Sequence, residues 1–191
     1  MIITDTFTSF FAEDFNPNLN FADLVDYCYE VAHERKDFYT AISFDNSDNE
    51  AVKEFISYAV EKINEVHLKI GLSPDYKQEI FSIWGNVGYP NRTTMPHSHG
   101  DSFFSAVLYL TGGIGDGVGN LFLINPDKQK VPVMRPRHIA EYNKYTSDFW
   151  GIEPHPGKFI VFPSWQWHYV STNESVVPRV SIAIDTKIVP K

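Results

Sequence analysis

The hydrophobic period of this chain changes near Pro74, and nothing else in the sequence constrains the fold as strongly. Upstream, apolar residues recur at three- and four-residue steps, the mark of helices with one buried face. Phe21, Leu24, Val25, Cys28, Val31 and Ala32 follow Asn18-Leu-Asn20, a plausible cap region. A second helix is predicted after Ser47-Asp-Asn-Glu50, which resembles a capping box; its face carries Val52, Phe55, Ile56, Ala59, Val60, Ile63 and Val66, and it ends near Gly71. Downstream, the runs Glu79–Val87, Phe103–Thr111, Asn120–Ile124, Lys158–Phe162, Trp167–Ser171 and Arg179–Asp185 are short, β-rich and separated by turn residues. That spacing predicts an antiparallel sandwich or barrel with helices packed on it, a mostly β chain of the α+β class. The expected organisation is a single domain over 1–191, with a helical N-terminal part at 1–75 and the β core at 76–191.

Composition excludes several classes. With 43% hydrophobic and 15% aromatic residues the chain is globular rather than disordered. A net charge of -8 without clustered Lys or Arg argues against a nucleic-acid partner. Cys28 is the single cysteine, so no intramolecular disulfide forms, which suits a reducing compartment. Met1-Ile-Ile-Thr-Asp-Thr-Phe7 lacks the basic start and apolar core of a signal peptide, and no run approaches the roughly 18 apolar residues that span a bilayer. A cytoplasmic protein without a membrane partner is expected. Gly112–Gly119 lacks a P-loop lysine and a following helix, so it reads as a flexible hairpin and not a phosphate cradle. Residues Pro126–Pro154 read either as a long loop bordering a site or as ordinary surface packing.

The chemistry-bearing stretch is Met95-Pro-His-Ser-His-Gly-Asp-Ser102. Alternate residues of a strand share a face, so His97, His99 and Asp101 converge on one point if the extended conformation persists. A second element, Pro154-His-Pro-Gly-Lys-Phe-Ile-Val-Phe-Pro-Ser-Trp-Gln-Trp-His168, places a histidine at the start of a later strand. His33, His67, His138 and His155 read as ordinary polar residues, Trp165 and Trp167 as packing or a pocket rim, and the acidic run from Asp45 to Glu50 as a solvated cap.

In this order the motifs resemble the Fe(II)/2-oxoglutarate-dependent dioxygenase superfamily, close to its small bacterial and phage-type oxygenases. The resemblance covers roughly residues 79 to 187. It rests on Trp84-Gly-Asn86, the His97–Asp101 cluster, Phe104-Ser-Ala-Val-Leu-Tyr-Leu110, Gly119-Asn-Leu-Phe122, Pro156-Gly-Lys-Phe-Ile-Val-Phe-Pro163, His168 and Arg179-Val-Ser-Ile-Ala183. It implies a double-stranded β-helix, or jelly roll, holding iron in a facial triad with open positions for the keto acid and dioxygen. Decarboxylation to succinate and CO2 then drives oxidation of a substrate C–H, usually hydroxylation. The resemblance puts the superfamily's His-x-Asp on His99 and Asp101 and its distal histidine on His168. The small phage-type relatives tend toward His-x-His-Pro-x-Ser, which favours His97 as third ligand. Asp101 and His97 therefore compete, with Asp101 slightly ahead because a carboxylate offsets part of the metal's charge.

Arg179 and Ser181 resemble the element that holds the distal carboxylate of 2-oxoglutarate; a forked, permanently charged guanidinium suits a buried carboxylate. Tyr109 and Asn86 stand where relatives contribute co-substrate hydrogen bonds. The cofactor set is Fe(II), 2-oxoglutarate and O2, with ascorbate compatible as a reductant. The substrate is a small molecule or a peptide, chosen by the aromatic stretch Tyr142–Trp150 and the loop Gly88–Met95 with Arg92; a homodimer is compatible with this reading. Two alternatives compete: a cupin-like three-His metalloenzyme without a keto acid, and a non-catalytic jelly-roll binding module. Arg179 argues against the first, as does the lack of an acid between Ser102 and Ala106, where a cupin carries a glutamate.

Overall fold

The structure, a computed structural model, describes all residues except 4, 6–8, 36–41, 44–47, 114, 116 and 128–135, and only the backbone at 31–35, 42 and 43. In chain order the elements are β1 (Ala12–Phe15), α1 (Phe21–Arg35), β2 (Ile42–Ser43), α2 (Glu50–Lys69), β3 (Tyr76–Gly88), β4 (Thr94–His97), β5 (Phe104–Tyr109), β6 (Leu121–Ile124), a 3-10 turn (Pro136–His138), β7 (Phe149–Ile152), β8 (Lys158–Pro163), β9 (His168–Val170) and β10 (Arg179–Pro190).

Both helices begin at asparagine caps. Asn20 accepts the Asp23 N–H at 3.3 Å and Asn49 accepts that of Val52 at 3.2 Å, relieving donors that have no partner inside the helix. The capping role in α2 thus falls to Asn49; Ser47, with the Asp45 end of the acidic run, lies outside the described residues, as do the side chains of Val31, Ala32 and His33. α2 stops where Gly71 takes φ +86°, a left-handed conformation that costs glycine nothing. Val52, Phe55, Ala59, Ile63 and Val66 form its buried stripe, while Val60 at the stripe's edge is exposed. Among the described residues, no helix is long and apolar enough to cross a membrane.

The strands form a six-stranded sheet ordered β1-β8-β5-β10-β3-β2 and a four-stranded sheet ordered β4-β9-β6-β7, antiparallel throughout. The eight strands β3 to β10 divide four and four between facing sheets, which is the double-stranded β-helix. The six apolar runs of the sequence correspond to β3, β5, β6, β8, β9 and β10. β1, β2, β4 and β7 escaped notice because each has four residues or fewer and none carries the uninterrupted apolar run that marks β6, and β4 carries Pro96, which removes a ladder donor and confines it to an edge.

The larger sheet is buried on both faces. One face meets the helices in a core that joins Leu24, Cys28, Phe55 and Ile63 to Ala106, Leu108, Val180, Ile182 and Ile184. The other faces the barrel interior, with Tyr109, Leu121, Leu123, Ile152, Ile160 and Phe162. A residue's parity along β10 therefore decides whether it packs a helix or enters the barrel.

Burial raises the Cys28 thiol to about 12, so it stays protonated and shielded. Native protein should not react with a thiol reagent near neutral pH, whereas denatured protein should react fully. Because the folded value exceeds the unfolded one, this group's contribution to stability is complete below the ordinary thiol range and declines as pH rises toward 12. Phe55, fully buried with its ring edge-on to Phe159 at 6.1 Å, should lose about 3–5 kcal/mol on substitution to alanine, read by denaturant unfolding.

Candidate active site

The metal-ligating candidates sit where the two sheets meet. β4 pairs with β9 so that His97 lies directly opposite His168. His99 lies beyond the end of β4, its N–H held by the Ser164 carbonyl at 2.9 Å. The ring centroids are 4.3 Å apart for His97 and His168, 5.1 Å for His97 and His99, and 5.3 Å for His99 and His168. One nitrogen from each ring lies within 4.8 Å of the other two.

Hydrogen bonds settle which nitrogen is free. Nδ1 of His97 faces the Met95 carbonyl at 2.8 Å, Nδ1 of His168 faces the Gln166 carbonyl at 2.8 Å, and Nδ1 of His99 faces both carboxylate oxygens of Asp185 at 2.8 and 2.7 Å. Each partner can only accept, so each Nδ1 carries a hydrogen and Nε2 is the atom left to face the other two rings. Burial pushes the His168 imidazole down to about 4, so it stays neutral near physiological pH. Three imidazoles that each offer one nitrogen to a common point are a donor set that suits iron, and equally zinc, nickel or copper.

Asp101 is outside this group. Ser102 N–H bonds back to the His99 carbonyl at 3.3 Å and closes a turn, with Gly100 and Asp101 exposed at its tip. The alternation that would align Asp101 with the histidines needs an extended chain, and the turn interrupts it one residue too early.

The second half of the site is carried by β10. Arg179, Ser181, Ala183 and Asp185 share its barrel-facing side, and the ladder sets Ser181 between Tyr109 of β5 and Asn86 of β3. Arg179, Ser181, Ala183, Tyr109, Asn86 and the three histidines line one cavity of about 90 Å³, well below the roughly 300–1,000 Å³ of sites for drug-sized ligands. Arg179 is 7% exposed, and Nη1 donates at 3.4 Å to the Gly119 carbonyl. Its Nε and the Tyr109 hydroxyl are buried with no hydrogen-bond partner among the described residues. Burial lowers the Arg179 pKa and raises that of Tyr109, the cost of holding polar groups out of water. Gly119 is itself required: at φ +91° a Cβ would fall 2.5 Å from the Ser171 carbonyl.

Other sequence candidates lie elsewhere. His67 is buried between the Ser73 carbonyl at 2.9 Å and the Gln78 amide at 3.2 Å, a satisfied polar residue as read, while His138 and His155 are exposed. Trp165 and Trp167 are half exposed, and Arg92 is exposed in the turn after β3. Tyr145, Phe149 and Trp150 line a larger cavity of about 690 Å³ with Phe10, Leu123 and Gln166. Sequence reasoning missed Asp185 and the serines beside it, Ser105 and Ser164. The signal was available: counting on by twos from Arg179 and Ser181 reaches Asp185.

Residues 82–185, more than half of the chain, match the protein family described as "Putative 2OG-Fe(II) oxygenase". No curated protein matches the chain. Among solved structures it is similar to a Pseudomonas putida prolyl-4-hydroxylase, with a TM-score of 0.64 and 19% identity over 94% of this chain and 89% of that one. It is also similar to the viral collagen prolyl hydroxylase vCPH of Paramecium Bursaria Chlorella virus-1, solved with 2OG, with a TM-score of 0.61 and 11% identity over 92% and 94% of the two chains. The epimerase SnoN of nogalamycin biosynthesis, solved with Fe3+ and alpha ketoglutarate, has a TM-score of 0.62 and 10% identity over 96% and 82%. At these identities the likeness is one of fold. On the match over residues 82–185, the chain belongs to the 2OG-Fe(II) oxygenase family, which implies iron and 2-oxoglutarate as its working groups.

Proposed function

We propose that this oxygenase is a hydroxylase that couples decarboxylation of 2-oxoglutarate to oxidation of a substrate C–H, with His97, His99 and His168 as the iron ligands. The observation that carries this reading is the pair of orphaned donors beside the histidines. A buried guanidinium whose only acceptor among the described residues is one long carbonyl contact is costly unless an anion completes it, and Arg179 Nε and the Tyr109 hydroxyl face the same small cavity as the imidazoles. A short dicarboxylate satisfies both ends.

Fe(II) bound to the three imidazoles would supply the dioxygen activation that the keto acid's decarboxylation drives. The chain's own residues do the rest. Arg179 and Tyr109 take the distal carboxylate, Ser181 adds a donor from the same strand face, and the Asn86 amide lies across the ladder from Ser181. Leu121, Phe162 and Val170 wall the cavity with apolar surface and keep water from competing for these bonds. Leu123 is paired with both His168 and Trp150, so these residues share one face, and the larger cavity opens beside the metal end of the site. We read that cavity as the chamber for a small-molecule or peptide substrate. Its aromatic wall and the Lys144–Asp5 ion pair at 2.6 Å would select the substrate, while the net charge of -8 disfavours nucleic acid.

The assignment predicts that anaerobic Fe(II)-loaded protein binds 2-oxoglutarate and, in air, releases succinate. Arg179→Ala should raise the dissociation constant for 2-oxoglutarate by about 30- to 1,000-fold, the equivalent of about 2–4 kcal/mol, with Fe(II) affinity nearly unchanged. Metal binding without keto-acid binding would favour the cupin-like alternative, and absence of both would favour the binding module. Among the competing ligands, His97→Ala should weaken Fe(II) binding by at least about 100-fold and Asp101→Ala by less than about threefold; the reverse order would overturn the three-His assignment.

A further inference from the structure

Asp185 is a carboxylate nine-tenths buried inside the barrel, and the proposed co-substrate contacts do not use it. Both its oxygens reach His99 Nδ1, and the Ser105 hydroxyl donates to Oδ1 at 2.6 Å while lying 3.0 Å from the Ser164 hydroxyl. His99 is its only ion-pair partner among the described residues.

The carboxylate is placed by the fold, not by its ligand. The ladder between β10 and β3 slips between Asp185, opposite Ser82, and Thr186, opposite Ile80, leaving Phe81 unpaired in a bulge. On the opposite face Thr186 donates to the Gln78 side chain at 2.8 Å and accepts from the Phe104 N–H at 3.2 Å, and its carbonyl accepts the Phe103 N–H at 2.7 Å. These bonds pin the backbone next to Asp185 from outside the barrel.

The three imidazoles are not equivalent. His97 and His168 are backed by neutral carbonyls, His99 by a negative charge. A ligand set made only of imidazoles brings no charge to offset a divalent cation, and a carboxylate on the far side of one ring can do so through the Nδ1–H. We propose that Asp185 is a positioning residue for the metal: it fixes the His99 tautomer and supplies, one imidazole removed, the negative charge that the three ligands lack. The inference rests on the reading of the three histidines as metal ligands.

Asp185→Asn isolates the charge. The asparagine oxygen can still accept from His99 Nδ1, and the Ser105 hydroxyl can turn to accept from the new amide. Anaerobic titration with Fe(II), and with Co(II) as a spectroscopic probe, should give about 10- to 100-fold weaker binding, with an apo melting temperature no lower than wild type. 2-Oxoglutarate binding to the metal-saturated variant should be unchanged or tighter, since one repelling charge is gone; a merely structural role would weaken both. A metal affinity within twofold of wild type, or parallel losses in metal affinity, keto-acid affinity and melting temperature, would overturn the proposal. A second measurement needs no variant: in wild-type protein loaded with Zn(II), imidazole 15N NMR should find the His99 Nδ1 protonated, and a deprotonated or metal-bound Nδ1 overturns it. Wild-type protein that binds neither Fe(II) nor Co(II) overturns the metal reading, and this one with it. Wild-type binding that is lost in His97→Ala but kept in Asp185→Asn overturns this one alone.

Discussion

One strand buried on both sides governs the rest of this molecule. Antiparallel strands in small proteins commonly bury one face and wet the other, so polar residues at alternate positions normally mark solvent. In β10 the alternation survives and its meaning is different. Val180, Ile182 and Ile184 are covered by the helices, and Arg179, Ser181 and Asp185 are covered by the second sheet. A polar side chain in that position has no water to fall back on and must find partners inside the protein or in a ligand.

The two ends of the stripe resolve this in opposite ways. Arg179 and Asp185 are six positions apart, about 20 Å along an extended strand, too far to neutralise each other directly. Asp185 is met within the chain, by His99 and Ser105. Among the described residues, Arg179 has one long contact and an Nε without a partner. The strand therefore carries an internally balanced charge beside the imidazoles and an unbalanced one at the far end of the cavity. An acid that spans the two regions would complete the electrostatics of the barrel.

The architecture was legible in the sequence because it depends on period. The shift near Pro74, the capped helices and the six apolar runs all register in a window of ten or so residues. β1, β2, β4 and β7 were not, since each has at most four residues and none offers an uninterrupted apolar run. For the site, motif and position agreed on His99, His168 and Arg179, and the structure gathers all three around one cavity. That His97 and not Asp101 stands beside them was not legible, because it turns on whether the chain stays extended past His99, and a backbone hydrogen bond from Ser102 closes a turn there. Asp185 was missed for a related reason: an acid at the end of an apolar strand looks like its solvated terminus until the second sheet is seen to cover it.

The bulge at Phe81 has a consequence for how the chain can vary. Alternation in β3 changes hand there, so Trp84 and Asn86 look into the barrel while Gln78 and Ile80 still face the helices. Without that extra residue the lower half of β3 would present its apolar and polar positions to the wrong sides. The slip comes immediately after Asp185, the last residue of β10 that the site uses, and the strand becomes largely exposed from Lys187 onward. The bulge thus marks a boundary in sequence space: up to Asp185 every position of β10 answers to a neighbour on each face, beyond it Thr186 is held from the helix side, and from Lys187 the strand faces solvent.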